Sequence, residues 1–413
     1  MKILLATIWN VPDVGGVWRF IELLQSGLER IGHEVDILGT MQGYTGFQLL
    51  TRHHHQSVGR ESLEPLIWKK LQGPMFQYLH QYPWLLDMEL KRYMFEAVSA
   101  YWGLEQYDII HTQEVISTLA MRRVKPEWAP LVASIHGLLS YEVYLQFKQN
   151  VSDMTEQHFQ GTETGKYFAA IEREGIKNAD MLVSASTWLA SELSGRYGFS
   201  SDLFEHSPYG MDIDRYLLAQ QQSVSSETPG KKVILCVARL TMIKGVQVLL
   251  PALARLKQVR SDWVCWIAGD GEMKEQLMQT AAELGLSSDI VFLGHRSDIP
   301  HLLNCADITV FPSLRDNQPY AVLESMAAGI APVVSDAGGL PELVNDGYNG
   351  WIFKAGDSEG CYHYLRHFLD NEDQRKIMGE NAKNWCRTHF SLEALARRYE
   401  YLYRKCASNL NRG

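Results

Sequence analysis

The first 235 residues contain no cysteine, and the six that follow (Cys236, Cys265, Cys305, Cys361, Cys386 and Cys406) form no C-x-x-C pair. That spacing excludes a disulfide framework and a clustered zinc site, and a reducing cytoplasm fits it best. No run approaches the roughly 18 apolar residues of a spanning helix. The opening run Met1–Thr7 is too short for a signal peptide. A soluble chain is expected, or one lying on the cytoplasmic face of a membrane. Base is not in surplus either: 39 Lys and Arg stand against 48 Asp and Glu, a net charge of -9, which argues against a dedicated nucleic-acid binder. No G-x-G-x-x-G follows a strand, and neither a repeat nor a low-complexity tract interrupts the chain.

What is present is a series of short apolar runs separated by turns. Ile3–Thr7, a loop with Pro12, Gly15 and Gly16, a helical stripe of Phe20, Leu23, Leu24 and Leu28, then Val35–Leu38 make a β-loop-α-β unit. Further strands are expected at 108–111, 131–135 and 181–184. A polar stretch from Gln220 to Lys232 reads as a linker. A second series follows at 233–237, 263–268, 290–293, 308–311 and 331–334. Val246 to Leu256 reads as helix despite Pro251. At 413 residues two domains are expected. The fold class is α/β, with two doubly wound, Rossmann-like domains facing across a cleft. Ligands in such sheets collect at the carboxyl ends of the strands. Arg239 follows one strand almost directly and Lys244 stands at the mouth of the next helix. A fork-shaped guanidinium and a point-charge ammonium placed there suit a diphosphate. Taken alone, both could be solvated surface charges.

The motifs of the second half come in a fixed order: Val237-Ala238-Arg239-Leu240, Lys244-Gly245, Ala268-Gly269-Asp270-Gly271, Phe292-Leu293-Gly294, Phe311-Pro312-Ser313, Leu323 to Gly329, Pro332-Val333-Val334 and Gly338 to Glu342. This series closely resembles the retaining glycosyltransferases of family four (glycosyl transferases group 1), which have the GT-B fold. The resemblance covers nearly the whole chain and is strongest over 231–355. It implies sugar transfer from a nucleoside diphosphate sugar to a hydroxyl acceptor, with no cofactor and no metal. The acceptor class would be a glycan, a lipid-linked sugar or a small molecule, in cell-surface glycan, polysaccharide or glycolipid synthesis. It also implies an acceptor-side domain of 1–210 plus a returning helix at 391–413, and a donor domain of 211–390.

Residue by residue, the resemblance puts Glu324 on the ribose hydroxyls and Asp316 near the donor sugar, in an E-x(7)-E pattern whose first member is here Asp. The loop Asn317, Gln318, Pro319 and Tyr320, leading into Ala321, offers helix N–H groups to phosphate. Gly294 and Arg296 fall where the base is held. Gly15 and Gly16 fall in a loop near the donor phosphates and the acceptor, and His136 contacts the donor sugar. His111 is a weaker acceptor-side candidate. Asp212-Ile213-Asp214 looks like a metal motif, but its place at the crossover reads as part of a hinge. His53-His54-His55 reads as a polar loop. Aromatics between 41 and 105, among them Tyr44, Phe47, Trp68, Phe76, Tyr78, Tyr82, Trp84, Tyr93 and Trp102, mark the acceptor side. They read mostly as a helical pair packing into the core. With Lys69 and Lys70 they also allow peripheral membrane contact. Two rivals remain at this point: a phosphorylase-type enzyme on the same scaffold, and an inactive glycan-binding protein.

Overall fold

The computed structural model describes residues 1–13, 15–151, 153–221 and 230–410. It divides into two compact units, Met1–Ser207 with Leu395–Gly413, and Pro208–Ala394. Most of the expected linker, 222–229, lies outside the described residues, while Gln220 and Gln221 close the helix Ile213–Gln221.

The first unit is built on β1 (Lys2–Asn10), β2 (Glu34–Thr40), β3 (Gly46–Leu50), β4 (His55–Gly59), β5 (Ile109–Thr112), β6 (Leu131–Ile135), β7 (Met181–Ser184) and β8 (Phe204–His206). Among the described residues these form one sheet in the order β4-β3-β2-β1-β5-β6-β7-β8. Its central strands are parallel, because each βα crossover returns the chain in the same direction. Their apolar runs are buried on both faces. The hairpin β3-β4 is antiparallel and extends one edge. Over 41–105 the expected helical pair is Arg60–Leu71 and Pro83–Trp102, with a short 3-10 helix, Pro74–Gln81, between them, whereas Phe47 departs from it as a buried strand residue on β3.

The second unit carries β9 (Lys232–Val237), β10 (Trp263–Ala268), β11 (Ile290–Gly294), β12 (Ile308–Phe311), β13 (Pro332–Ser335) and β14 (Trp351–Phe353). Their order is β11-β10-β9-β12-β13-β14, all pairs parallel. The helix Val246–Lys257 tolerates Pro251 because that residue is exposed, where water can meet the carbonyl that proline leaves without a donor. The last helix, Leu392–Leu410, starts where Ser391 Oγ accepts from Ala394 N–H at 3.3 Å. Its buried face, Leu395, Tyr399, Leu402 and Tyr403, completes the core of the first unit.

Candidate active site

The strand order of the second sheet reverses at β9: β10 and β11 lie on one side, β12 to β14 on the other. The loops leaving β9 and β12 therefore diverge at their carboxyl ends and open a crevice between them. Hydrogen bonds tie the loop after β12 to the loop after β9 on one side and to the end of β13 on the other. Ile243 C=O accepts from Leu314 N–H at 2.8 Å and from Arg315 N–H at 3.2 Å, and Asp316 C=O accepts from Gly339 N–H at 3.0 Å. Ser335 Oγ donates to Ser313 C=O at 2.5 Å. Such close stacking demands glycine. At Gly245 (φ +71°) a Cβ would lie 1.8 Å from Pro312 O, and at Gly338 (φ +65°) 1.8 Å from Asp316 O.

Lys244 and Asp316, 72 residues apart in sequence, meet at this crevice. Lys244 Nζ lies 2.5 Å from Asp316 Oδ2, with side chains 16% and 11% exposed. Asp316 Oδ2 also accepts from Ser313 Oγ at 3.1 Å, and Oδ1 accepts from Asn317 N–H at 3.1 Å. Asp316 thus spends both oxygens on the chain and fixes the ammonium in place. Arg239 differs: it is exposed, and no ion pair or hydrogen bond ties its guanidinium to the described residues. One cation is preset and the other is free to close on a ligand.

The helix expected at Ala321 to Gly329 runs over Tyr320–Ala327. Pro319 precedes it and makes no side-chain cap, so the first N–H groups are not met by a capping side chain. Glu324 lies beyond the first turn, and a simple helix-dipole role does not explain it. The Gln318 side chain is buried and its Oε1 accepts from Tyr209 N–H at 2.6 Å, leaving its backbone as what it can offer a ligand. Tyr320 stacks on Tyr209, 5.2 Å between ring centres and 10° from parallel. At the end of β11, Gly294 (φ +66°) faces open space. Arg296 forms a fork with Asp298 at 2.7 and 2.6 Å, so its guanidinium plane is held. Asp212, read from sequence as part of a hinge, caps the helix Ile213–Gln221: its Oδ1 accepts from Arg215 N–H at 3.2 Å.

In the first unit the order reverses at β1 and β5. The loop after β1 leads to Gly15 and Gly16, where an added Cβ would meet nothing within 4 Å. Chain packing therefore does not require glycine there. His136 follows β6, donates from Nε2 to Gln113 Oε1 at 3.2 Å and packs edge-on against Phe20 at 4.8 Å. His111 proves structural. It is wholly buried, hydrogen-bonded at 2.8 Å to both Tyr403 Oη and Ser134 Oγ, and stacked on Tyr399, so no acceptor can reach it. Of the three adjacent histidines, His53 and His54 lie in the β3-β4 turn, and His55 opens β4 with its ring on Gln48.

Burial pushes both His111 and His136 down to about 3. Both are therefore neutral imidazoles at neutral pH. The unfolded chain takes these protons near 6.5, whereas the folded chain refuses them until about 3. Stability is therefore fully present above 6.5 and is lost as pH falls, by at most about 1.4 kcal/mol per pH unit for each residue. Burial shifts Glu114 and Glu172 upward, which acts in the opposite sense nearer the carboxylate range. Comparing the wild type with a variant of one histidine cancels these carboxylate contributions. His136 keeps some exposure, so His111 carries the prediction: urea midpoints should fall between pH 7 and 5, and fall less in His111→Gln. An identical slope in the variant would refute it.

Sequence reasoning missed several residues that hold these loops. Glu114 caps the helix Val115–Val124 and also accepts from Thr7 Oγ1 at 2.8 Å and Ile8 N–H at 3.0 Å, tying the end of β1 to β5. Glu172 is fully buried and accepts from Leu139 N–H at 2.6 Å, Ser140 Oγ at 2.8 Å and Tyr197 Oη at 2.5 Å. It fixes the start of the helix that follows the His136 loop. A buried acid in a helical stretch was the available signal, but its partners come from distant segments.

Comparisons with known proteins converge on one assignment. Residues 14–215 match the family described as Glycosyltransferase Family 4 and residues 219–385 match Glycosyl transferases group 1. An uncharacterised glycosyltransferase of Methanocaldococcus jannaschii is 24% identical over 98% of both chains. A D-inositol 3-phosphate glycosyltransferase of Corynebacterium glutamicum is 26% identical over 74% of each. The crystal structure of Anabaena HepE in complex with UDP shares the fold, with a TM-score of 0.68 and 20% identity over 98% of this chain and 100% of that one. Two consecutive family matches over two doubly wound units make the conclusion plain: the chain belongs to the glycosyltransferases of family 4, glycosyl transferases group 1.

Proposed function

We propose that the chain moves a sugar, with retention, from a nucleoside diphosphate sugar to a hydroxyl acceptor in the synthesis of a cell-surface glycan, polysaccharide or glycolipid. The preset Lys244 ammonium and the free Arg239 guanidinium, both on the loop that leaves β9, carry this reading. As the glycosidic bond breaks, the leaving diphosphate gains charge, and fixed cations aimed at it lower the barrier. The two cations do here what a metal does elsewhere. Asp316 orients Lys244 and so acts as a positioning residue. The N–H groups at Asn317–Ala321 add donors, and Glu324 accepts from the ribose. Gly294 and Arg296 border the base, and Gly15 and Gly16 leave room for the donor phosphates. Neutral His136 offers the donor sugar a hydrogen bond without a competing charge. The leaving diphosphate itself removes the acceptor's proton on the face it departs from. UDP, the ligand of HepE, is the first nucleotide to try. All six thiols are free, which fits a reducing compartment.

Calorimetry with UDP, GDP and ADP tests the reading and names the base. One of the three should bind, and Arg239→Ala should weaken it. Binding of none would remove the donor site from this crevice. Product analysis with inorganic phosphate replacing nucleotide separates a phosphorylase.

A further inference from the structure

A second group of side chains at the carboxyl edge of the first sheet takes no part in the reading above. Trp9 lies near the end of β1, Tyr44 follows β2, and Lys91 lies on the helix Pro83–Trp102. Among the described residues Tyr44 is the one non-glycine with a left-handed backbone, φ 55°. An aromatic residue is held in that conformation only where its surroundings over-determine it, and such positions gather at binding sites. The Tyr44 hydroxyl is buried and has no hydrogen-bond partner among the described residues. Two cations approach its ring, the Arg60 guanidinium at 4.3 Å and the Lys91 ammonium at 4.8 Å. Lys91 also stands 5.7 Å from the Trp9 ring.

The two cations are not equivalent. Arg60 Nε donates to Glu64 Oε2 at 2.7 Å and its Nη2 reaches Asp87 at 3.4 Å. Lys91 is half-buried and makes no ion pair or hydrogen bond to the described residues. Glu114 and Asp87 are the carboxylates whose field it feels. Glu114, however, spends its oxygens on Thr7, Ile8 and Ser117, and Asp87 turns to Arg60. The groups left unmet are therefore donors: three ammonium N–H and one phenol O–H. A sugar hydroxyl would bring a further donor along with its acceptor lone pairs, whereas a carboxylate brings acceptors alone and a phosphate dianion acceptors in excess. Burial lowers the Lys91 pKa, and an anion beside the ammonium would raise it again.

We propose that Lys91 and Tyr44, with Trp9 as a wall, bind an anionic group, carboxylate or phosphate, of the molecule that accepts the sugar. Only the word acceptor rests on the glycosyl-transfer reading; the anion site stands on its own geometry. The test is calorimetry of the full chain, saturated with UDP, against inorganic phosphate and separately against malonate at constant ionic strength. At least one should bind, and the preferred anion distinguishes phosphate from carboxylate. Lys91→Met should weaken binding by about tenfold or more, Tyr44→Phe severalfold, and the exposed Lys69→Met not at all. Lys91→Met removes an unpaired, half-buried charge, so it should melt no lower than the wild type and still bind UDP. Tyr44→Phe deletes a single oxygen and serves as the second variant. Binding of neither anion, or equal binding by Lys91→Met, overturns the proposal. If UDP itself fails to bind, the glycosyl-transfer reading falls. The anion comparison is then repeated on a Lys244→Met background, where loss on changing Lys91 still supports the site and no loss still overturns it.

Discussion

Arg239→Ala should lower turnover by about 10²-fold or more and leave the melting temperature unchanged. Lys244→Met should lower turnover as much, but it should also destabilise the fold. The difference follows from what each cation does before any ligand arrives. Arg239 is exposed and tied to nothing in the chain, so its removal strands no partner. Lys244 neutralises Asp316 at 2.5 Å, and both side chains are largely enclosed. Deleting one member leaves an uncompensated carboxylate, tempered here by Ser313 Oγ and Asn317 N–H. The loss should be about 1–3 kcal/mol, below the range for fully buried pairs. The double variant Lys244→Met/Asp316→Asn should recover most of that stability and none of the turnover. A double variant that regains turnover would show that the ammonium serves the loop and not the leaving group. Steady-state rates with the nucleotide sugar identified by calorimetry, read beside thermal melts, separate these outcomes.

The second large effect is expected at glycine. Gly245→Ala should cost about 3 kcal/mol or more, because it combines a left-handed backbone with a Cβ that would overlap Pro312 O at 1.8 Å. The two loops cannot separate to relieve the overlap without breaking the bonds from Leu314 and Arg315 to Ile243. Gly16→Ala is the contrast. It opens the helix Gly16–Arg30 in free space, so the variant should be at least as stable as the wild type. If the loop lies against the donor, its turnover should nevertheless fall. Denaturant midpoints and rates for the pair decide whether each glycine serves the fold or the ligand. Equal stability of the two variants would contradict the stacking argument.

Much of the fold was legible because buried parallel strands are short apolar runs. Leu131–Ile135, Met181–Ser184 and Ile308–Phe311 begin and end where their composition says. The hairpin β3-β4 was not legible. His55-Gln56-Ser57-Val58-Gly59 is a largely polar edge strand, and its pairing with β3 supplies the order that hydrophobicity does not. The strands β8 and β14 are three residues long, too short to show a period, and β14 is missed although Trp351-Ile352-Phe353 is apolar throughout. Within the site, Arg239 and Lys244 could be placed because each follows a recognisable strand or precedes a helix. Their difference could not be seen, since Asp316 reaches Lys244 across 72 residues. His111 and His136 look alike in sequence, each at the end of an apolar run. Only the returning helix, with Tyr399 and Tyr403, shows that one of them is enclosed.

That helix has a consequence for biosynthesis. The chain leaves the first unit at Ser207, builds the whole of the second, and comes back at Leu395. Until the final segment emerges from the ribosome, His111 and Ser134 lack the phenols they bond to, and Phe20 lacks the Tyr399 ring against which it packs. The unit that is translated first is thus the one that matures last. The donor-side unit can reach its native core while its elder neighbour still waits for its last helix.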